Sequence, residues 1–335
     1  MNIKEETRQL WRLSFEDSEE FMDLYFSLRY SDRINKFIES EGKIVAALQT
    51  IHYTMTYGVG TEVPVRYISG ACTHPNYRNK GFMKRLLRDV HHAMYEEGVW
   101  LSTLIPAKEW LKGFYRRSGY ELCFHYLPYW YAKENKTSGV TCPREISLND
   151  EVYDFFDRQM HKRKCSIQHS RDDLSIVIKD LMLAGGKFYG IFDDERLSGL
   201  AFCICDKDVL IVKEILLATS LDLNDVLVGL MQVTGTSKAS CLLPTISEAY
   251  PLGMARVINA EVALRRYAGI HPNERLSIDV VGDDVIKENN GCRIINDGEC
   301  FRINNRSSDT KVMTIAQLTR FLFSDLHPYM SLMMN

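Results

Sequence analysis

The sequence predicts a layered chain of the α+β class, in which helices flank mixed sheets, with domains at residues 1–134, 140–245 and 246–335. Three observations carry this expectation. Strand and helix signals alternate from residue 8 to about 134, as they do when helices cover a sheet. From Asp150 two helices, a three-strand meander, a helix and a strand repeat that layout. The segment from Met254 onward changes character, with a helix, three strands and a closing helix.

In the first domain Gln9–Leu13 reads as a short strand. Glu19–Arg29 carries Phe21, Leu24, Tyr25 and Leu28 on one face, the stripe of an amphipathic helix. Lys36–Ser40 and Lys43–Tyr57 are apolar runs on either side of Glu41-Gly42, a two-residue hairpin signal. Val65–Ile68 suits a strand, and His74-Pro75-Asn76 breaks it. A helix is expected to begin near Asn79, with Phe82, Met83, Leu86, Leu87 and Val90 at helical spacing. Its unpartnered N–H groups, from Asn79 to Met83, would face an anion, with Arg78 and Lys80 adding to the field and Gly81 allowing close approach. The strand Val99–Ile105, the helix Lys108–Arg117 and the strand Glu121–Tyr131 complete the domain.

Lys133–Gly139 is polar and aperiodic and reads as a linker. Beyond it come helices Asp150–Lys162 and Asp172–Leu183, the second ended by Gly185-Gly186. Strands Lys187–Asp193, Arg196–Cys205 and Val209–Leu217, helix Asp222–Gln232 and strand Ala239–Leu243 follow. Cys203 and Cys205 on the middle strand read as core residues. In the last domain the segment Met254–Tyr267 leads into Arg275–Val281, Gly291–Ile295 and Cys300–Asn304, which read as strands, and Thr314–Phe323 closes as a helix.

Composition narrows the function classes. A net charge of −3 and the lack of a basic block, His161-Lys162-Arg163-Lys164 being too short, give no reason to expect a nucleic-acid or membrane partner. Nine scattered cysteines without a Cys-x-x-Cys pair argue against a disulfide framework or a zinc site, so no metal is expected. The first residues form no signal-peptide pattern and no long apolar run occurs, which reads as a cytosolic chain.

Arg78-x-x-Gly81-x-Met83 resembles the [RQ]-x-x-G-x-[GA] signature of the GNAT superfamily of N-acetyltransferases, with Met in the last small position. Tyr115-Arg116-Arg117-Ser118-Gly119-Tyr120 resembles that family's late Tyr, short spacer, Gly and aromatic. The whole order, with a second copy lacking Arg-x-x-Gly and a tail carrying Asn259, Asn290-Gly291 and Thr314–Leu318, is similar to the enhanced-intracellular-survival (Eis) type. That type closes with a sterol-carrier-protein-like domain.

The resemblance implies an acetyl-CoA-dependent transfer to a primary amine, on a small molecule or a peptide, by direct attack in a ternary complex. Arg78, Asn79, Lys80, Gly81, Phe82 and Met83 would hold the pyrophosphate. Ala71, Cys72 or Thr73 would offer a backbone donor to the thioester at a strand bulge, with a plain core strand as the alternative; Gly70 is compatible with the bulge. Tyr115 would be the acid for the leaving thiolate, and the terminal carboxylate of Asn335 the base or an anchor. Tyr120 reads as core or support, Cys123 as core, Glu39 and Glu62 as surface, and His91 and His92 as unable to pair on a metal. Met22, Tyr25, Phe26, Tyr30 and Met55 would border a roomy apolar amine pocket or be core. The resembled enzymes tend to assemble, so a homo-oligomer is possible. A non-catalytic acyl-CoA sensor or lipid-binding protein stays open as an alternative.

Overall fold

A computed structural model describes residues 2–132, 142–244 and 250–334. Two units emerge, one from the chain up to Phe124 with Leu252–Pro328, the other from His125–Pro251 with the segment from Tyr329. The first helix, α1 (Ile3–Arg12), overturns the strand expected at Gln9–Leu13. Asn2 caps it by accepting from the Glu5 amide at 3.2 Å, Glu5 and Glu6 sit in its first turn, and Thr7, Leu10 and Trp11 form its buried stripe. A five-residue window is too short to reveal that 3.6-residue period.

Helix α2 (Glu19–Leu24) widens into a π-turn over Tyr25–Arg29, closed by Tyr30 N donating to Tyr25 O at 2.9 Å. Strands β1 (Asn35–Ser40) and β2 (Lys43–Thr56) flank Glu41-Gly42, whose φ values of 53° and 74° are those of a tight hairpin turn. Then come β3 (Glu62–Thr73), α3 (Phe82–Glu96), β4 (Leu101–Leu104), α4 (Glu109–Arg116) and β5 (Glu121–Ala132). Strands β1, β2 and β3 are antiparallel, and β3 pairs parallel with β4. Leu86, Leu87, Val90 and Met94 of α3 pack with Val45, Leu48, Ile68, Leu104 and Tyr115 into one apolar core.

The second unit contains β6 (Arg144–Glu145), α5 (Asp150–His161), β7 (Ile167–Gln168), α6 (Arg171–Leu183), β8 (Lys187–Asp193), β9 (Arg196–Asp206), β10 (Val209–Leu217), α7 (Leu223–Thr234) and β11 (Lys238–Leu243). Its sheet runs β5-β11-β10-β9-β8-β6, with β10 and β11 parallel. The expected helix, helix, meander, helix, strand order is present. Cys203 lies in the core, but Cys205 is exposed because β9 leaves the core at Ile204. The expected linker, Lys133–Gly139, lies outside the described residues.

The final segment opens with a strand the sequence did not announce, β12 (Tyr250–Val257), whose start is disguised by Pro251 and Gly253. Its end pairs antiparallel with β4. Helix α8 (Ala260–Ile270) opens after Asn259, whose side chain caps it, and the sheet β13 (Leu276–Val280), β14 (Gly291–Asn296), β15 (Glu299–Ile303) and β16 (Lys311–Met313) has the order β15-β14-β13-β16. A Thr314/Gln317 capping box opens α9 (Ile315–Phe323). No helix among the described residues is long and apolar enough to cross a membrane.

Candidate active site

The basic turn after β3 is a short 3₁₀ segment, Pro75–Tyr77, in which the Arg78 amide donates to Pro75 O at 3.3 Å. Asn79 and Gly81 both take positive φ, 62° and 82°, so the helix cannot include them and begins at Phe82 rather than near Asn79. Its first backbone bond is Arg85 N to Gly81 O, 2.9 Å. The amides of Phe82, Met83 and Lys84 are therefore the free donors of the helix itself, while those of Asn79, Lys80 and Gly81 belong to the turn before it. No side chain caps α3 and no acid lies in its first turn, so its positive end is uncompensated. A Cβ on Gly81 would meet nothing within 4 Å, which leaves open space in front of those amides.

The six cradle residues are brought together, but they do different things. Arg78 folds its Nε onto Thr73 O at 3.2 Å and so ties the turn to the end of β3. Lys80 Nζ stands 4.9 Å from the centre of the Tyr77 ring, and Tyr77 donates to Glu41 Oε2 at 3.0 Å, anchoring the turn on the β1–β2 hairpin. Phe82 and Met83 pack sideways against the core. Met83 in the signature's small-residue position therefore offers the cradle only its amide.

The bulge expected near Gly70 is present. Ala47 faces Cys72 and Gln49 faces Ser69, so β3 carries one residue more than β2 over this interval. Gly70 has φ 56°, and a Cβ there would lie 2.1 Å from Trp11 Cζ3 and 2.3 Å from Gln49 Oε1. Glycine is required on both counts. Strand β3 pairs with β4 from Val65–Leu101 as far as Tyr67–Thr103, short of the bulge. Ala71, Cys72 and Thr73 thus sit where the two strands part. Burial pushes the Cys72 thiol up to about 12, which leaves it a protonated core group rather than a nucleophile.

Tyr115, on the last turn of α4, is 7% exposed, and burial raises its phenol to about 12, with Cys72 close enough to add to the effect. Its ring meets Phe114 and Tyr120, at centroid distances of 5.3 and 5.7 Å. Tyr120 is fully buried, with its hydroxyl 2.6 Å from Ser102 Oγ and 3.0 Å from His91 Nε2, the support role expected of it. Cys123 is buried, whereas Glu39, Glu62, His52 and His92 are exposed.

Of the aromatic wall beside the bulge, sequence reading named Tyr25 but missed Tyr53, Tyr67 and Arg29. Tyr25 donates to Ser69 Oγ at 3.1 Å, beside the bulge, and its phenol is pushed up to about 12 by burial. Burial raises the phenol of Tyr67 strongly, with Tyr53, Tyr25 and Tyr115 as its charged-state neighbours. Arg29 stacks 4.9 Å over the Tyr53 ring and bonds its hydroxyl. Alternation along β2 and β3 could have placed Tyr53 and Tyr67 on a common face. The π-turn that delivers Tyr25 and Arg29 has no sequence signal. Met22, Tyr25, Phe26, Tyr30 and Met55 are all buried. Asn335 lies outside the described residues.

A comparison with curated proteins finds no match. Among solved structures, a probable N-acyltransferase from Enterococcus faecalis superposes with a TM-score of 0.75 at 15% identity, over 98% of this chain and 96% of that one. A GCN5-related N-acetyltransferase from Anabaena variabilis gives 0.73 at 16% identity, over 98% and 95%. Eis1 from Mycobacterium abscessus gives 0.73 at 12%, over 96% and 87%. At such identities the likeness is one of fold, and it runs the length of the chain. The family described as the acetyltransferase (GNAT) domain matches residues 4–123, so that stretch, with its uncapped helix start, its bulged strand and its buried tyrosine, is a GNAT acetyltransferase domain.

Proposed function

We propose that the chain is an acetyl-CoA-dependent N-acetyltransferase of the Eis type that acts on a primary amine by direct attack within a ternary complex. The observation that carries this reading is the conjunction, in one unit, of a bulge on β3, an uncapped start to the α3 that follows it and a buried protonated tyrosine on α4. The cradle residues fit a pyrophosphate. Three free amides, no acid in the first turn, open space before Gly81 and the cations Arg78 and Lys80 all favour a dianion. Acetyl-CoA would bring the activated acyl group.

The amides at Ala71, Cys72 or Thr73 would donate to the carbonyl oxygen as it becomes an oxyanion. The amine nitrogen forms the new bond to the carbonyl carbon, the carbon–sulfur bond breaks, and Tyr115 Oη meets the departing thiolate. Full transfer from a phenol near about 12 to a thiol of ~8.5 is uphill by roughly 5 kcal/mol, so Tyr115 donates a strong hydrogen bond while charge develops. Handover of the proton follows as desolvation raises the thiolate's basicity. The amine's proton needs an acceptor, and the terminal carboxylate of Asn335 is our candidate. The final segment, 246–335, is read as the sterol-carrier-like domain of that type.

Thiol release from acetyl-CoA, followed against an aminoglycoside, spermidine and a lysine peptide, tests the reading. Turnover with one of them supports it. Tight acetyl-CoA binding without thiol release on any amine would contradict it and favour a sensor.

A further inference from the structure

Helix α4 ends in a cluster of buried polar groups that the acetyl-transfer reading does not use. Arg256, on β12, is 1% exposed, and both its terminal nitrogens are engaged. Nη1 donates to Ser118 O at 3.0 Å, while Nη2 donates to both carboxylate oxygens of Asp283 at 2.8 Å. Asp283 is equally buried and is saturated: Oδ1 also accepts from the amides of Val285 and Ile286 at 3.1 Å, and Oδ2 from Asn289 Nδ2 at 2.9 Å. Held by so many donors, the carboxylate is fixed in place and in turn holds the guanidinium in one orientation.

The guanidinium is spent on the turn that carries Tyr115. Ser118 N donates to Tyr115 O at 2.8 Å, and Tyr120 N reaches the same oxygen at 3.2 Å, so residues 115–120 form one closed turn. Arg256 supplies the positive charge that the negative end of α4 favours. Gly119 makes this approach possible: its φ is 82°, and a Cβ would lie 1.9 Å from Arg256 Nη1. Arg256 also faces Ser102 across the β12–β4 register, and Ser102 Oγ holds the Tyr120 hydroxyl at 2.6 Å. The turn is thus held at its carbonyl end by Arg256 and at its ring by β4.

We propose that Arg256, fixed by Asp283, is a positioning residue for Tyr115: it sets the last turn of α4 and with it the height of the phenol relative to the bulge of β3. The proposal rests on the reading of Tyr115 as the acid. An error of about 1 Å in such a group is enough to cost a large part of the rate without touching cofactor affinity.

Two variants in the full chain test it. Arg256→Lys keeps the charge but cannot span Ser118 and both Asp283 oxygens. Gly119→Ala keeps the ion pair and pushes a methyl against it. Each is read by steady-state kinetics and by the ¹³Cζ resonance of Tyr115 in ring-labelled protein, identified by its loss in Tyr115→Phe. In both variants kcat falls about tenfold or more, KM for acetyl-CoA stays within about twofold, and the Tyr115 resonance shifts while that of Tyr189, in the other unit, does not. An unmoved Tyr115 resonance in either folded variant overturns the proposal, as does a parallel loss of kcat and acetyl-CoA affinity. A shifted resonance in a protein with no turnover leaves the positioning link standing and removes the acetyltransferase reading instead.

Discussion

The crossovers β3–α3 and β10–α7 are built alike and finished differently. Each strand carries one extra residue: Val212 faces Cys203 and Glu214 faces Phe202, so Lys213 bulges from β10 as Gly70-Ala71 bulge from β3. Each pairs in parallel with the next strand only before its bulge, the last pair being Val212–Cys241 in one case and Tyr67–Thr103 in the other. The difference lies in what occupies the polar groups that this geometry frees. At α3 the cap is Gly81 and the amides are open. At α7 the Asp222 carboxylate accepts from the amides of Asn224 and Asp225, at 2.8 and 3.2 Å, and Asp225 adds a second acid. One carboxylate at the N-cap fills an anion site with the protein's own charge.

The bulges repeat the lesson. In β10 the Glu214 side chain turns back to accept from the Ile215 amide at 2.9 Å and pairs with Arg163 through two bonds of 2.8 Å. Arg163 lies 4.9 Å from the centre of the Tyr329 ring, and Tyr329 donates to Leu242 O at 3.3 Å. In β3 the corresponding interval is bordered by Tyr25, Tyr67, Cys72 and Tyr115, with no carboxylate among these four groups. A donor at a strand bulge is useful to a substrate only while no side chain of the protein satisfies it.

The comparison can be broken most forcefully at Glu214. Glu214→Ala strands the Arg163 charge in a site where the carboxylate was 0% exposed, and should cost about 3–5 kcal/mol in denaturant unfolding of the second unit. Tyr115→Phe is the counterpart in the first unit. It should lower kcat about 10²-fold, roughly 2.7 kcal/mol, with acetyl-CoA affinity unchanged. Asp222→Ala removes the self-made anion and should cost about 1 kcal/mol of stability, read from the shift in unfolding midpoint.

A pH experiment sharpens the contrast further. His91 is fully buried, and its pKa is lowered well below 6.5, by burial first and then by the Arg256 charge. Below the unfolded value of ~6.5 the unfolded chain therefore binds a proton that the folded chain refuses. Stability is complete above that pH and declines as the pH falls through it, with a limiting slope of about 1.4 kcal/mol per unit. Unfolding midpoints at pH 7.5 and 5.5 should differ in this direction, and His91→Leu should flatten the difference.

Much of this was legible in the sequence because it is local. The hairpin at Glu41-Gly42, the two-helix and meander order of the second unit and the bulge glycine all follow from residues within a few positions of one another. The start of α3 was not, since Asn79 reads as an ordinary helix residue until its positive φ is known. Trp11 reaches Gly70 only because α1 is a helix, and five residues of α1 resemble a strand. Arg256 and Asp283 are 27 positions apart and meet Ser118 from a distant strand, which no period in the sequence encodes. Partners of that kind are fixed by tertiary packing, not by spacing.

On the proposed reading, an open N-cap makes α3 the acetyl-CoA site and a carboxylate closes α7. Titration calorimetry of acetyl-CoA into the intact chain, Gly81→Asp and Asp222→Ala tests it most directly. Aspartate tolerates the left-handed φ of 82° at position 81 and would place there the same charge that Asp222 carries. One acetyl-CoA should bind per chain, at least tenfold more weakly in Gly81→Asp, about 1.4 kcal/mol, and with no change in Asp222→Ala. Undiminished affinity in Gly81→Asp, or a second equivalent bound by the intact chain, would contradict it.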